Sequence, residues 1–276
     1  MVFFRQIWIA VIVAFGGLKE RVWMSLSTVV AVALVISVLL GFQAMTYGFQ
    51  KTLESTGSDS IAIVTRANST SEINSVIDRE SFTLVEQAGG IAKTEDGTPF
   101  VSGELYVVVD GVKKSSGTEV NLPLRGLSDA GMKLRERAKI VAGRMFEAGK
   151  NELIVGAGVL NDFSGFELGS SMRFGRTQWQ VVGVFSVEGT VFDGELWADA
   201  RTVQSQFNRG SSFQSVRAVL TTPGDVSAIQ NYIDADPRLV LDVTTEKDYY
   251  AEQGRALANL VTVGEVLAIV MSVGAL

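Results

Sequence analysis

Residues 152–163, ELIVGAGVLNDF, read as a short apolar strand, a Gly156-x-Gly158 turn and the opening of a helix. A dinucleotide-binding fold starts in the same order, with glycines admitting a pyrophosphate to a helix N-terminus. Three features of the surrounding sequence argue against that reading. Asn161 occupies the third glycine position, no Asp or Glu occurs from 168 to 187 to hold a ribose, and Gly165 and Gly169 interrupt the helix at once. The stretch is therefore expected to be a strand and turn in which glycine supplies backbone freedom. No G-x-x-x-x-G-K-[ST] phosphate loop occurs anywhere, so the chain is not expected to be an ATPase of that class.

The segments on either side alternate like strands: 61–66, 100–110, 119–127, 139–143, 171–175, 178–187, 194–199, 215–222 and 239–245. Helical spacing predicts one helix capped near Ser71 and running to the Gly89-Gly90 stop, and another over 225–236 with Asp225 as N-cap. The chain is thus β-α and β-α-β at its ends and β-rich in its middle. The expected fold is α+β, with one subdomain built from 51–95 and 208–250 and a β-rich subdomain, 96–207, inserted into it.

Two apolar runs bracket this domain. From Val22 to Gln50 there is no charged residue, which is long enough to cross a hydrocarbon core of about 30 Å as a helix. The second run starts at Ala256 and is broken only by Glu265. Arg5, Lys19 and Arg21 stand against Glu20 before the first run, so the positive-inside rule puts the N-terminus in the cytoplasm and 51–250 outside it. The expected order is a cytoplasmic interfacial helix (1–21), membrane helix 1 and its stalk (22–50), the exported domain (51–250), and a stalk with membrane helix 2 (251–276). A signal peptide is the rival reading of the first 21 residues, but Lys19-Glu20-Arg21 and a better span follow directly.

Composition removes several chemistries. The chain has no histidine and no cysteine, hence no His base, thiolate nucleophile or zinc-type ligand set from those residues. Residues 51–255 carry 21 basic against 28 acidic residues, which argues against a nucleic-acid partner. Asp193, Glu195 and Asp199 are the nearest thing to a carboxylate cluster and read as an exposed hairpin edge. Ser115-Ser116 beside Lys113-Lys114 read as a hairpin tip. Catalytic, cofactor-binding and metal residues are accordingly expected to be absent. The residues that stand out serve the membrane instead. Ala33, Ser37 and Gly41 form a small-residue stripe for helix packing. Glu265 is an ionisable group inside a span, and Tyr249 and Tyr250 suit the headgroup level.

Two longer patterns carry a resemblance, IVAGRMFEAGKNELIVGAGVLNDF (140–163) and LGSSMRFGRTQWQVVGVFSVEGTVFDGELWAD (168–199). With the order of helix, span, exported domain and span, they resemble the permease subunit of MacB/FtsX-type ABC transporters. The resemblance implies a periplasmic core domain with a Porter-like part and a β-rich insertion in a bacterial inner-membrane protein. It implies a dimer with a second permease copy or homologue, a cytoplasmic ATPase subunit that binds the ATP, and a periplasmic adaptor protein as a further partner. Permeases of this group have four membrane helices, so these residues are expected to be the N-terminal part of one. A membrane sensor or scaffold with an exported ligand-binding domain is the alternative. An exported hydrolase built on Asp193 and Glu195 is a third.

Overall fold

The computed structural model describes residues 22–256 without a break, together with residues 5, 6, 8, 9, 259, 261 and 264. Most of the cytoplasmic helix expected over 1–21, most of the second apolar run, and Glu265 lie outside the described residues. Contacts divide the chain into two units, residues 51–255 and the residues on either side of them.

Helix α1, Val22–Ser55, is the apolar run. Its membrane-compatible part, Leu26–Leu53, is 28 residues long, about 42 Å at 1.5 Å per residue and more than a hydrocarbon core requires. Val29, Leu34, Val38 and Phe42 are all exposed, so apolar side chains project all round the helix. A helix hydrophobic on every side fits a lipid solvent rather than water.

Residues 51–255 form an α+β domain around one sheet of eleven strands. The strands are β1 (Ile61–Arg66), β2 (Val101–Lys113), β3 (Glu119–Leu127), β4 (Lys139–Gly143), β5 (Glu152–Gly156), β6 (Phe163–Ser164), β7 (Ser171–Phe174), β8 (Thr177–Ser186), β9 (Leu196–Asp199), β10 (Ser215–Val219) and β11 (Leu241–Thr245). The main path runs β11-β1-β10-β2-β3-β9-β5-β8-β4, with β6 on β2 and β7 on β8. Strands from the two ends of the domain, β1, β10 and β11, make one end of the sheet. Strands of the 96–207 segment make the other, and β2 joins them by pairing with both β10 and β3. Two pairs are parallel, β3 with β9 and β5 with β8.

One face of the sheet is apolar throughout. Ala62, Val64, Leu105, Val107, Leu124, Leu153, Val155, Leu196 and Val216 belong to a single cluster that runs beneath both ends of the sheet. It is covered by Phe82 and Val85 of α2 (Arg79–Val85), Val159 of α3 (Ala157–Asp162), Val203 of α4 (Ala200–Gln206), and Ile229 and Ile233 of α5 (Val226–Ala235).

Two helix expectations need correction. The helix expected over 71–89 is broken into a 3-10 turn at Glu72–Asn74 and α2. Ile77 breaks it by exchanging backbone hydrogen bonds with Phe213, at 2.7 and 2.8 Å, which requires extended backbone. Asp78 then caps α2 by accepting from the Ser81 N–H at 2.7 Å, while Ile73 and Val76 are left exposed. Asp225 does stand at the N-cap of α5, but its side chain makes no cap bond to the helix. It turns back to accept from the Thr222 N–H at 2.7 Å, closing a capping box on the 3-10 turn that precedes α5.

Candidate functional site

The second face of the sheet carries the unusual chemistry. Register places Arg217 beside Ile63 and Ser102, Ser215 beside Glu104, and Arg125 between Tyr106 and Trp197. Polar residues alternating with apolar ones on a strand ordinarily mark a solvated face. Here the face is covered by the 3-10 turn at Glu72, the segment around Leu134 and Arg135, the turn at Val191–Gly194, and a sixth helix, α6, described over 246–256. Arg217 and Glu104 are fully buried, Arg125 is 1% exposed, and Arg135, Glu195, Glu246 and Glu72 are nearly as enclosed.

Three guanidinium groups meet four carboxylates. Arg125 grips Glu195 with Nε and Nη2, both at 2.7 Å, and reaches Glu72 at 2.8 Å and Glu104 at 3.1 Å. Arg135 forks onto Glu104 at 2.8 and 2.9 Å. Arg217 contacts Glu104, Glu72 at 2.9 Å, and Glu246 at 3.0 Å through Nε. Bidentate charge-assisted bonds of this kind are the geometry that lets ions remain paired away from water. Aromatic rings close the remaining sides. The Arg135 guanidinium lies 4.7 Å from the Phe192 centroid and 5.2 Å from that of Trp197, and the Trp197 ring stacks on Phe185 at 3.8 Å.

The electrostatics follow from this packing. Burial alone would raise the Glu72 carboxyl, but Arg125 and Arg217 hold it well below the usual carboxylate range. Burial likewise opposes ionisation of Glu104, and Arg135 and Arg217 overcome it, lowering the group to about 2. Burial works against the charge on Arg125 and Arg217, and their carboxylates more than restore it, raising both well above the ordinary arginine value. Glu72, Glu104, Arg125 and Arg217 are thus held in their charged forms. Paired in this way, the set fixes the geometry of the strands and turns that carry it.

The residues singled out in the sequence fall in several places. Gly156 is the N-cap of α3, as the strand–turn–helix reading requires, but a protein backbone fills the space that a phosphate would need. A Cβ on Gly156 would lie 2.2 Å from the Asp193 carbonyl oxygen, and the Gly156 N–H donates to the Glu195 carbonyl at 2.9 Å. Asp193, Glu195 and Asp199 are not an exposed hairpin edge. Asp193 braces the turn before it, accepting from the N–H groups of Val187 at 2.5 Å and Gly189 at 2.8 Å. Glu195 joins the ionic cluster, and Asp199 caps α4. Among the described residues, no group of three or more His, Cys, Asp or Glu is arranged to hold a metal. Ser115 and Ser116 stand at the tip of the β2–β3 hairpin, and the Lys114 ammonium donates to the Leu160 carbonyl at 2.8 Å. Ala33, Ser37 and Gly41 are exposed along α1, and the Ser37 hydroxyl donates back to the Ala33 carbonyl at 2.7 Å.

Tyr249 and Tyr250 require the clearest correction, because they are not outward-facing anchors. Tyr250 is 6% exposed and packs edge-on against Phe192 at 5.8 Å. Its hydroxyl accepts from Arg217 at 3.3 Å, and the Tyr249 hydroxyl accepts from the Glu72 N–H at 3.0 Å. Both rings belong to the inner cover of the ionic cluster, where their hydroxyl groups find partners. Sequence reasoning missed the cluster itself. Its sequence signal was slight: a charged residue between apolar or glycine neighbours on each of three strands, Glu104 on β2, Arg125 on β3 and Arg217 on β10.

No curated protein matches the chain. Among solved structures, the extracellular domain of the noncanonic ABC-type transporter YknZ from Gram-positive bacteria covers 67% of this chain and 100% of its own, at 13% identity and a TM-score of 0.49. The periplasmic region of MacB from Actinobacillus actinomycetemcomitans covers 68% and 90%, at 13% identity and a TM-score of 0.48. The MacB-like periplasmic core domain profile matches residues 25–236. That match takes in all but the first three residues of the apolar helix, every strand of the sheet but β11, and the buried cluster apart from its α6 residues, so the chain belongs to the MacB-like periplasmic core domain family, that of the MacB/FtsX-type ABC transporter permeases.

Proposed function

We propose that the chain is the N-terminal part of a permease subunit in the inner membrane, with its N-terminus cytoplasmic and residues 51–250 in the periplasm. A cytoplasmic ABC ATPase binds and hydrolyses ATP, and the permease converts that turnover into movement of the exported domain. The movement serves export or extraction of a lipid, lipoprotein, peptide or drug. The observation that carries this reading is the family match continuing from inside an apolar helix into the sheet domain. The central charges support it too, since they are locked in ion pairs and leave rigidity rather than covalent chemistry as the domain's contribution.

In this reading two permease copies, or this chain and a homologue, pack through helices such as α1. Ala33, Ser37 and Gly41 permit the close approach. A periplasmic adaptor protein is a further partner. The test is to purify the full-length protein from its native host and assay for a co-purifying ATPase. An ATPase whose turnover rises when the permease is present supports the proposal. A permease that purifies alone and leaves every neighbouring ATPase unstimulated refutes it and favours a sensor or scaffold.

A further inference from the structure

The two chain segments that enter and leave the domain meet on the covered, charged side of the sheet. At the end of α1, Leu53 is 4% exposed and lies in the cluster of Phe192, Trp197 and Tyr250. The Ser55 carbonyl accepts from Arg137 at 3.0 Å, and the Thr56 hydroxyl accepts from the Val191 N–H at 3.2 Å. Gly57 follows with φ +90°, and a Cβ there would lie 2.8 Å from the Glu246 carbonyl carbon. Glu246 is itself the first residue of α6.

From that point α6 is tied to several elements in quick succession. Glu246 binds Arg217 of β10 at 3.0 Å, Lys247 binds Asp59 at 2.7 Å, and Gln253 donates to the Thr70 carbonyl at 2.7 Å. Tyr249 and Tyr250 add their bonds to Glu72 and Arg217. Arg217 also holds Glu72 and Glu104, so one side chain connects α6 to β10, β2 and the 3-10 turn.

We propose that Glu246 is a positioning residue which, through Arg217, locks the end of α1, the start of α6 and the sheet into one lever. A displacement of either helix then reaches the sheet without slack. The proposal rests on the permease reading and names the residue on which its mechanical step depends. Glu246 suits that role because it is 2% exposed, adjoins the Gly57 backbone, and has its charge matched by a fully buried cation.

The experiment uses the full-length permease with its ATPase in lipid nanodiscs. The sequence given has no cysteine, so Val141→Cys, at an exposed position on β4, places a dye specifically within it. Energy transfer from that dye to headgroup-labelled lipid is recorded with and without ATP turnover. The permease with native Glu246 is expected to give an ATP-dependent change. Glu246→Ala is expected to keep its ATP turnover and lose most of that change. For the rescue the dye is carried at position 141 by an encoded azido amino acid instead of a cysteine, and Asp59→Cys with Lys247→Cys, bridged by a short bis-maleimide, is expected to restore the change in the Glu246→Ala background. A merely structural role would not produce that rescue. If Glu246→Ala fails to insert, Lys247→Ala combined with Gln253→Ala removes two peripheral ties and is expected to reduce the amplitude. An undiminished change in an inserted Glu246→Ala protein, or in that pair when it is used instead, overturns the proposal. No ATP-dependent change with native Glu246 overturns the permease reading itself, and the two failures are thereby distinguished.

Discussion

Replacing Arg125 by Met tests the ionic cluster most directly. The guanidinium makes five hydrogen bonds to three carboxylates, two of them to Glu195 at 2.7 Å. Without Arg125, Glu104 keeps Arg135 and Arg217, and Glu72 keeps Arg217 and the Ser215 hydroxyl at 2.6 Å. Glu195 keeps only the Trp197 indole N–H at 2.8 Å, and it is 4% exposed. The variant therefore strands one buried carboxylate, and breaking a buried pair in this way costs about 3–5 kcal/mol. Against a typical domain stability of about 5–15 kcal/mol that is a large loss, on the order of 10 °C in Tm for a domain this size. Residues 51–255, produced alone, can be unfolded in urea while fluorescence from Trp179 and Trp197, both fully buried, reports the transition. Arg125→Met combined with Glu195→Leu removes both partners and is expected to cost less than Arg125→Met alone. A single-variant cost under about 1 kcal/mol, or a double variant at least as damaging as the single, would refute the view that Arg125 neutralises a buried charge.

Other substitutions separate the remaining readings. Gly156→Ala drives a methyl group into the Asp193 carbonyl and should destabilise the domain by about 1–3 kcal/mol, whereas Gly158→Ala, with 2.9 Å to the same oxygen, should cost less in the same urea titration. Asp193→Ala releases two backbone N–H groups and should lower the unfolding free energy by about 1 kcal/mol, with no further change on adding a chelator; a chelator effect in the parent domain would instead reveal a metal. Stability should also fall at both pH extremes. Glu104 and Glu152 are held at about 2 when folded, below the ordinary glutamate value of 4.5, so their contribution is full above about 4.5 and is lost as pH drops toward 2. Burial raises Tyr106 and Tyr249 to about 12 from 10.0, so the unfolded chain ionises first and stability falls as pH rises from about 10 to 12. A denaturation midpoint that does not change between pH 4.5 and 2.5 would contradict the acid limb.

The strands were legible because alternation and turn residues are local signals. The ranges read for β1, β3 and β4 match the structure residue for residue. What was lost depends on distant contacts. Ile77 leaves helical geometry only because Phe213, far along the chain, offers it a backbone partner. Glu104 and Arg217 did not stand out, because nothing local indicates that α6 and the 191–194 turn will cover them. Tyr249 and Tyr250 misled for a related reason. A tyrosine beside an apolar run suits a headgroup, and equally suits a buried polar cluster that needs hydroxyl groups. The Gly156 turn was read correctly as protein geometry, but its neighbour, the Asp193 backbone, is fixed only by the fold.

The order of strands in the sheet also constrains how the protein is made. β1 lies between β10 and β11, which come near the C-terminal end of the domain. During synthesis the first strand to emerge after α1 therefore has no partner until almost the whole domain has followed it. The β2–β3 hairpin and the strands added to it by nearby residues can pair much earlier, because closing short loops is fast and closing long ones is slow. The edge of β1 stays open throughout that interval, with IAIV unsatisfied and prone to pairing elsewhere. Biogenesis of this domain thus carries an obligatory waiting period, set by topology, that ends only when residues 215–245 arrive to close the sheet.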